Sequence, residues 1–329
     1  MLGALGFIAI DWLRKPPTPP PSPVQRFDIV LPENASWVDE AGSGMALSPD
    51  GTMLAFIGQD SSAQRWVYLR AMDQTDPVPI PGSESGGNPF FSPDGRWVGF
   101  IAQGIVKAPV AGGRPERLCD GGGGGEYFNE TWLESNAVVF ADGTPPGLRQ
   151  CSVLGEVTTL LASDSTESFN FPHGLPGDRG LLFSIRRGSA ERLSVLDLRT
   201  KSVKSLDILG SDPRYVATGH LVYLTPDGLV RAVRFDVNTR TTSGDPVIIA
   251  EGMRVNILGR AMMAVSRTGT IVAAGAAMAR RSLELVDRNG RAERLYPRIG
   301  EFFDPRFSPD GRRIATSLGA DICLLDLAT

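Results

Sequence analysis

Residues 88–120 read NPFFSPDGRWVGFIAQGIVKAPVAGGRPERLCD. Ser92-Pro93-Asp94-Gly95 joins two apolar runs. Asp bonds to its own turn, Gly accepts a positive φ, and Pro sets the turn's start, so the tetrapeptide marks a hairpin. Trp97–Ala102 is the return strand. Ile105–Ala111 follows as a third strand, and after the polar turn Gly112–Arg114 comes a fourth, Pro115–Asp120. Strands at this density, with almost no 3.6-residue periodicity, predict an all-β chain.

The same text recurs. SPDG stands again at Ser48–Gly51 and Ser308–Gly311, each before an apolar run. Weaker copies carry their turns at Asn136, Gly177, Gly219 and Gly269, which makes seven copies spaced roughly 41 to 50 residues apart, the period of a four-stranded blade. The expected fold is a seven-bladed β-propeller of four-stranded antiparallel blades, with a six-bladed ring as the alternative. The seventh copy stops at Thr329 after its third strand, and Arg26–Leu31 (RFDIVL) is a strand ahead of the first copy. An open ring leaves unpaired strand edges, so Arg26–Leu31 is expected to complete the last blade beside 320–327.

Composition narrows the function. The chain has 329 residues, 42% of them hydrophobic, and a net charge of -4. Lysine occurs only at 15, 107, 201 and 204, and no basic stripe exists, so no nucleic-acid partner is expected. Cys119, Cys151 and Cys323 are widely spaced within apolar strands, without C-x-x-C, and read as free buried thiols. No metal site and no cofactor are expected, since metal-ligand spacing and phosphate-loop motifs are absent. Gly121–Gly125 precedes EYFNETW rather than Lys and a helix, and reads as a connection. His173 and His220 read as structural. The sequons at Asn34 and Asn129 carry no weight.

Residues 1–15 open with MLGALGFIAIDWL. At about 1.5 Å per residue this apolar run is too short to cross a hydrocarbon core of about 30 Å. Arg14-Lys15 and the stiff Pro-rich stretch 16–25 follow it. The order is that of a remnant of a membrane-anchor helix (1–15), a linker (16–25) and a propeller (26–329).

LSPDGTMLAFIG, VYLRAMD, the 88–120 text, YVATGHLVYL and FSPDGRRIA resemble the TolB-like, WD40-type propeller repeats. They are most similar to the propeller that follows the membrane helix in bacterial receptor-type serine/threonine protein kinases. The resemblance covers about residues 14–329. It implies a propeller on the extracytoplasmic face of the bacterial inner membrane, or alternatively a soluble periplasmic scaffold. Kinase motifs such as V-A-I-K, H-R-D and D-F-G are missing, so no kinase chemistry is expected.

The expected function is therefore non-catalytic: a sensor or protein-interaction module, a propeller-fold lyase or peptidase-associated domain being the weaker rival. Seven residues before successive turn anchors lie Asn88, Asn129, Asn170, Asp212 and Asp304. Equivalent positions on successive blades form a ring, so these side chains are expected at one accessible mouth of the channel. Arg214 and Arg306 stand two residues after their Asp and would add cations there. A protein or small polar ligand would bind this ring, while the N-terminal segment engages the membrane. The competing reading makes Asn or Asp before Pro a backbone device at the start of a strand.

Overall fold

A computed structural model of the chain describes residues 36–37, 44–120, 130–143, 146–164, 166–253, 262–274, 283–286, 291–295, 302–318 and 321–327. The anchor and linker segments, Arg26–Leu31 with its expected closure, and Asn129 lie outside the described residues.

The architecture is all-β, and among the described residues the one helical element is a 3-10 turn at Pro176–Asp178. Antiparallel sheets follow one another along the chain, and from the second sheet on sequential strands pair. The first sheet contains β1 (Ser36–Trp37), β2 (Met45–Leu47), β3 (Met53–Gln59), β4 (Arg65–Ala71) and β5 (Val78–Pro79), with β1 and β2 both pairing with β3. The second runs β6 (Gly87–Phe91), β7 (Trp97–Ile101), β8 (Ile105–Pro109) and β9 (Glu116–Cys119). The third runs β10 (Glu130–Trp132), β11 (Val138–Gly143), β12 (Pro146–Cys151) and β13 (Val157–Ala162). The fourth runs β14 (Glu167–Gly174), β15 (Leu181–Arg187), β16 (Ala190–Leu196) and β17 (Val203–Leu209). The fifth runs β18 (Ser211–Val216), β19 (His220–Leu224), β20 (Val230–Asp236) and β21 (Thr241–Ala250). The sixth repeat is described as two pairs, β22 (Met263–Val265) with β23 (Ile271–Ala273), and β24 (Glu284–Val286) with β25 (Ala292–Arg294). The seventh is three-stranded: β26 (Phe302–Phe307), β27 (Arg313–Leu318) and β28 (Asp321–Asp326).

The core lies between sheets, and strand alternation supplies both of its faces. In β11, Val138 and Phe140 pack against Phe90 and Ile105 of the second sheet, while Val139 and Ala141 pack against Phe169 and Phe183 of the fourth. Leu181 and Phe183 of β15 face the third sheet, and Leu182 faces Leu221 and Tyr223 of the fifth. A strand covered on both faces needs a continuous apolar run, and this is why AVVFA and LLFSI do not alternate with polar residues.

This stacking turns the sheets about a common axis, the arrangement of a β-propeller. One cavity is lined by β2, β6, β10, β14, β18 and β22, the innermost strand of each of the first six repeats. The sixth repeat meets the first directly: Thr268 Oγ1 donates to Asp50 O (3.2 Å), and a Cβ on Gly51 would stand 2.8 Å from Thr270 Oγ1. No described residue of the seventh sheet lines the cavity. Among the described residues seven repeats are thus present as sheets, and strands of the first six line the cavity.

Candidate functional site

The SPDG hairpins are built from their own side chains. Ser48 Oγ donates to Asp50 Oδ1 (2.5 Å), Asp50 Oδ1 accepts Thr52 N (3.0 Å), and Ser48 Oγ accepts Met53 N (2.9 Å). Ser92-Asp94 and Ser308-Asp310 repeat the pattern. These hydroxyl bonds, then the backbone N–H, hold the Asp50, Asp94 and Asp310 carboxyls below their ordinary value of 3.8.

The turns also fix the register of the innermost strands. Ser48, Ser92, Leu133, Leu175 and Ser266 each donate their N–H across a turn (2.8 to 2.9 Å), and Val216 pairs with His220 at the same place. Two residues before these stand Ala46, Phe90, Thr131, His173, Arg214 and Ala264, and all six line the cavity. One residue beyond the turn starts stand Pro49, Pro93, Glu134, Pro176 and Arg267, which form its rim.

This register corrects the expected ring. Asn88 and Asp212 sit at φ 47° and 49° inside β-bulges of β6 and β18, each just before a proline. Both are buried, with 6% and 3% exposure, and neither lines the cavity. Asn and Asp are among the few side chains that tolerate a left-handed backbone, so a local backbone demand accounts for both. In the fourth sheet the bulge residue is Phe171 (φ 55°), and Asn170 lies one position away. The reason is the longer turn: Asp178 (φ 49°), not Gly177, stands three residues after the turn start, and seven back from it is Phe171. Asn170, 5% exposed, donates instead to Ser168 Oγ and Glu191 Oε1 (both 3.4 Å) within its own sheet. The accessible ring of amides and carboxylates is therefore absent at Asn88, Asn170 and Asp212. Asp304 falls at the corresponding register shift of β26. The exposed Arg306 donates to Pro305 O (3.3 Å) and does not line the cavity.

Of the expected ring residues that are described, Arg214 reaches the cavity. The bulge after Ser211 turns it inward, and Asp212 behind it forms an ion pair at 2.7 Å. His173, read from the sequence as structural, is its neighbour in the wall. The imidazole borders the cavity and so is half-buried, yet it lies deep in the wall. Burial pushes its pKa down to about 3; Arg214 lowers it further, a backbone hydrogen bond with Tyr215 opposes, and Arg267 again lowers it. The imidazole is neutral at physiological pH, and the charges acting on it are two guanidiniums.

Over the rim, Arg267 of the sixth repeat forms an ion pair with Glu134 of the third (2.6 Å). Glu134 Oε2 accepts Gly177 N (3.0 Å), and the Asp178 carboxylate accepts Glu134 N and Ser135 N (both 2.8 Å). The cavity, about 150 Å³, thus has Thr131, His173 and Arg214 on one side, Ala46, Phe90 and Ala264 on the other, and a salt bridge across its opening. Glu130 stands one residue deeper than Thr131 and is buried. Thr131, His173, Glu134 and Arg267 were not assigned to a site from the sequence because residue type varies among the repeats at these positions. Only the turn-start register, not residue type, connects them.

The cysteine expectation is also corrected. Cys119 of β9 and Cys151 of β12 form a disulfide between the second and third sheets, with Cα atoms 6.4 Å apart, while Cys323 is free. The pair was hidden in sequence because 32 residues separate partners that face each other only once two sheets stack. Among the described residues no group of three or more His, Cys, Asp or Glu is placed to hold a metal ion. No described helix is long and apolar enough to cross a membrane.

No protein-family model and no curated protein matches the chain. Among solved structures it is similar to TolB from Acinetobacter baumannii (TM-score 0.49, 19% identity, covering 62% of this chain and 55% of that one). It is also similar to the Cps50 (Swd1) beta-propeller domain of Myceliophteria thermophila (TM-score 0.45, 12% identity, covering 91% and 99%). A third is the oligogalacturonate lyase of Vibrio parahaemolyticus (TM-score 0.41, 9% identity, covering 90% and 92%). The chain thus spans about half the length of the Acinetobacter TolB. At these identities and TM-scores the likenesses carry no functional argument.

Proposed function

We propose that this chain is a non-catalytic, extracytoplasmic binding propeller, the sensor part of a membrane-anchored receptor of the serine/threonine-kinase type. Its ring has six blades, and its ligand or partner is received at the central cavity. One observation carries this reading: six innermost strands converge on a single cavity in which Arg214, Arg267 and His173 meet. The direct contact of Thr268 and Asp50 supports six blades rather than seven.

The Cys119–Cys151 disulfide supports the compartment, because disulfides persist outside the reducing cytosol. Protein drawn from its native host under alkylating conditions is expected to show one modified cysteine, Cys323. Modification of all three would overturn the extracytoplasmic reading. The same disulfide suits a soluble periplasmic scaffold, and carbonate washing of membranes separates the two: the receptor stays in the pellet, the scaffold leaves it.

The binding role is tested by hydrogen exchange of the purified chain with and without envelope extract of its host. Protection is expected in the rim turns 92–95, 133–136, 175–180 and 266–269. Protection confined to outer strands such as β17, or none at all, would refute the cavity as the site. Purified chain is also expected to hydrolyse no ATP; turnover that follows the protein through purification would refute the non-catalytic reading.

A further inference from the structure

Small size and mixed chemistry restrict what the cavity holds. An apolar cavity of about this volume accommodates a benzene-sized group. One wall is apolar or small (Ala46, Phe90, Ala264), and the other presents Thr131, His173 and Arg214. The rim carboxylates are committed to partners: Asp178 to the amides of Glu134 and Ser135, and Glu134 to Gly177 N and Arg267. A guanidinium carries five N–H donors, so one carboxylate partner apiece leaves Arg214 and Arg267 with donors for another acceptor. The bond Arg267 makes to Glu134 shows the chemistry it selects: a carboxylate bound at the opening.

We propose that the cavity is a site for a small organic carboxylate, whose anion is held between Arg214 and Arg267 and whose apolar part rests against Ala46, Phe90 and Ala264, Glu134 being displaced from Arg267 as it enters. The inference rests on the cavity being the binding site, which the exchange experiment above tests independently. Asp212 is a positioning residue in this scheme, because its ion pair holds the Arg214 side chain from behind. His173 remains neutral between two guanidiniums, and its one ring N–H is committed to the Tyr215 backbone, so it adds no charge to the site. The opposing charge is Glu130, one residue deeper along β10, which sets the end of the cavity an anion avoids.

Benzoate is the probe, with benzamide as its neutral isostere and inorganic phosphate as an anion lacking the apolar part. Calorimetric titration of the full chain is expected to show one saturable benzoate site. Arg214→Gln and Arg267→Gln should each weaken it about 10- to 100-fold, the worth of a charge-assisted hydrogen bond. Glu134→Gln keeps an acceptor for Gly177 N but frees Arg267, and should tighten benzoate binding roughly fivefold. Asp212→Asn should weaken it without touching the ligand. Thermal unfolding of each variant separates lost binding from lost folding. Benzamide bound as tightly as benzoate overturns the anion preference while leaving the cavity a site. Phosphate bound as tightly overturns the carboxylate preference. No saturable binding of any probe, or weaker binding in Glu134→Gln, overturns the proposal as a whole.

Discussion

At Asn88 and Asp212 the side chain answers to a backbone angle. Both sit at positive φ ahead of a proline, where a β-branched residue is held off by its own Cβ. Asn88→Val is therefore expected to destabilise the chain by about 1–2 kcal/mol more than Asn88→Gly, measured by urea unfolding. His173 makes a second prediction at this scale. Its folded pKa is about 3 against an ordinary 6.5, so the unfolded chain binds the extra proton between those values. Stability should thus fall as pH drops from 6.5 toward 3, with a slope of up to about 1.4 kcal/mol per pH unit from this group. His173→Gln should flatten that part of the profile; an unchanged profile would show that folding leaves the imidazole's pKa where it stands in the unfolded chain. The sequence displayed the Asn/Asp-Pro pattern openly, but its meaning lay in φ, which no spacing reveals. Phe171 makes the point, since it occupies the same bulge without belonging to the pattern.

The hairpins were the most legible elements. All seven turn anchors, Gly51, Gly95, Asn136, Gly177, Gly219, Gly269 and Gly311, have positive φ, as their Gly or Asn identity implies. Local chemistry specifies these turns, so local sequence discloses them. The cavity was less legible, because its walls come from residues about forty positions apart that share a level and not a type. The disulfide was illegible for the same reason. It closes a loop between sheets, and for its 32-residue separation the chain-entropy relation gives about 3–4 kcal/mol. Cys119→Ser with Cys151→Ser is expected to lower Tm by several degrees, and a reductant should do the same to the wild type but not to the variant. The SPDG turns add an acid limit. Their aspartates have folded pKa values below 3.8, so the stability they contribute is complete above that pH and is lost as pH falls through the lowered values.

For the whole molecule the decisive question is how the ring closes, and two equivalent glycines answer it. Gly51 and Gly311 occupy the same place in two SPDG turns, at φ 79° and 69°. Replacing either by Ala imposes the same left-handed backbone penalty, about 1 kcal/mol. Their surroundings differ. A Cβ on Gly51 meets Thr270 Oγ1 at 2.8 Å and Thr270 Cβ at 3.2 Å, across the junction between the first and sixth repeats, whereas a Cβ on Gly311 meets nothing within 4 Å. If six blades close the ring, Gly51→Ala must push Thr270 away and disturb the junction that carries the Thr268–Asp50 bond. Overpacking of this kind costs about 1–3 kcal/mol. Gly51→Ala is therefore expected to destabilise by at least about 1 kcal/mol more than Gly311→Ala in equilibrium unfolding. Gly51→Ala combined with Thr270→Ala, which removes the Oγ1 that a Cβ on Gly51 meets at 2.8 Å, should recover part of the difference. In a seven-bladed ring the seventh sheet would stand between the first and the sixth, Gly51 and Thr270 would not touch, and the two glycine variants would be equally stable with no rescue by Thr270→Ala.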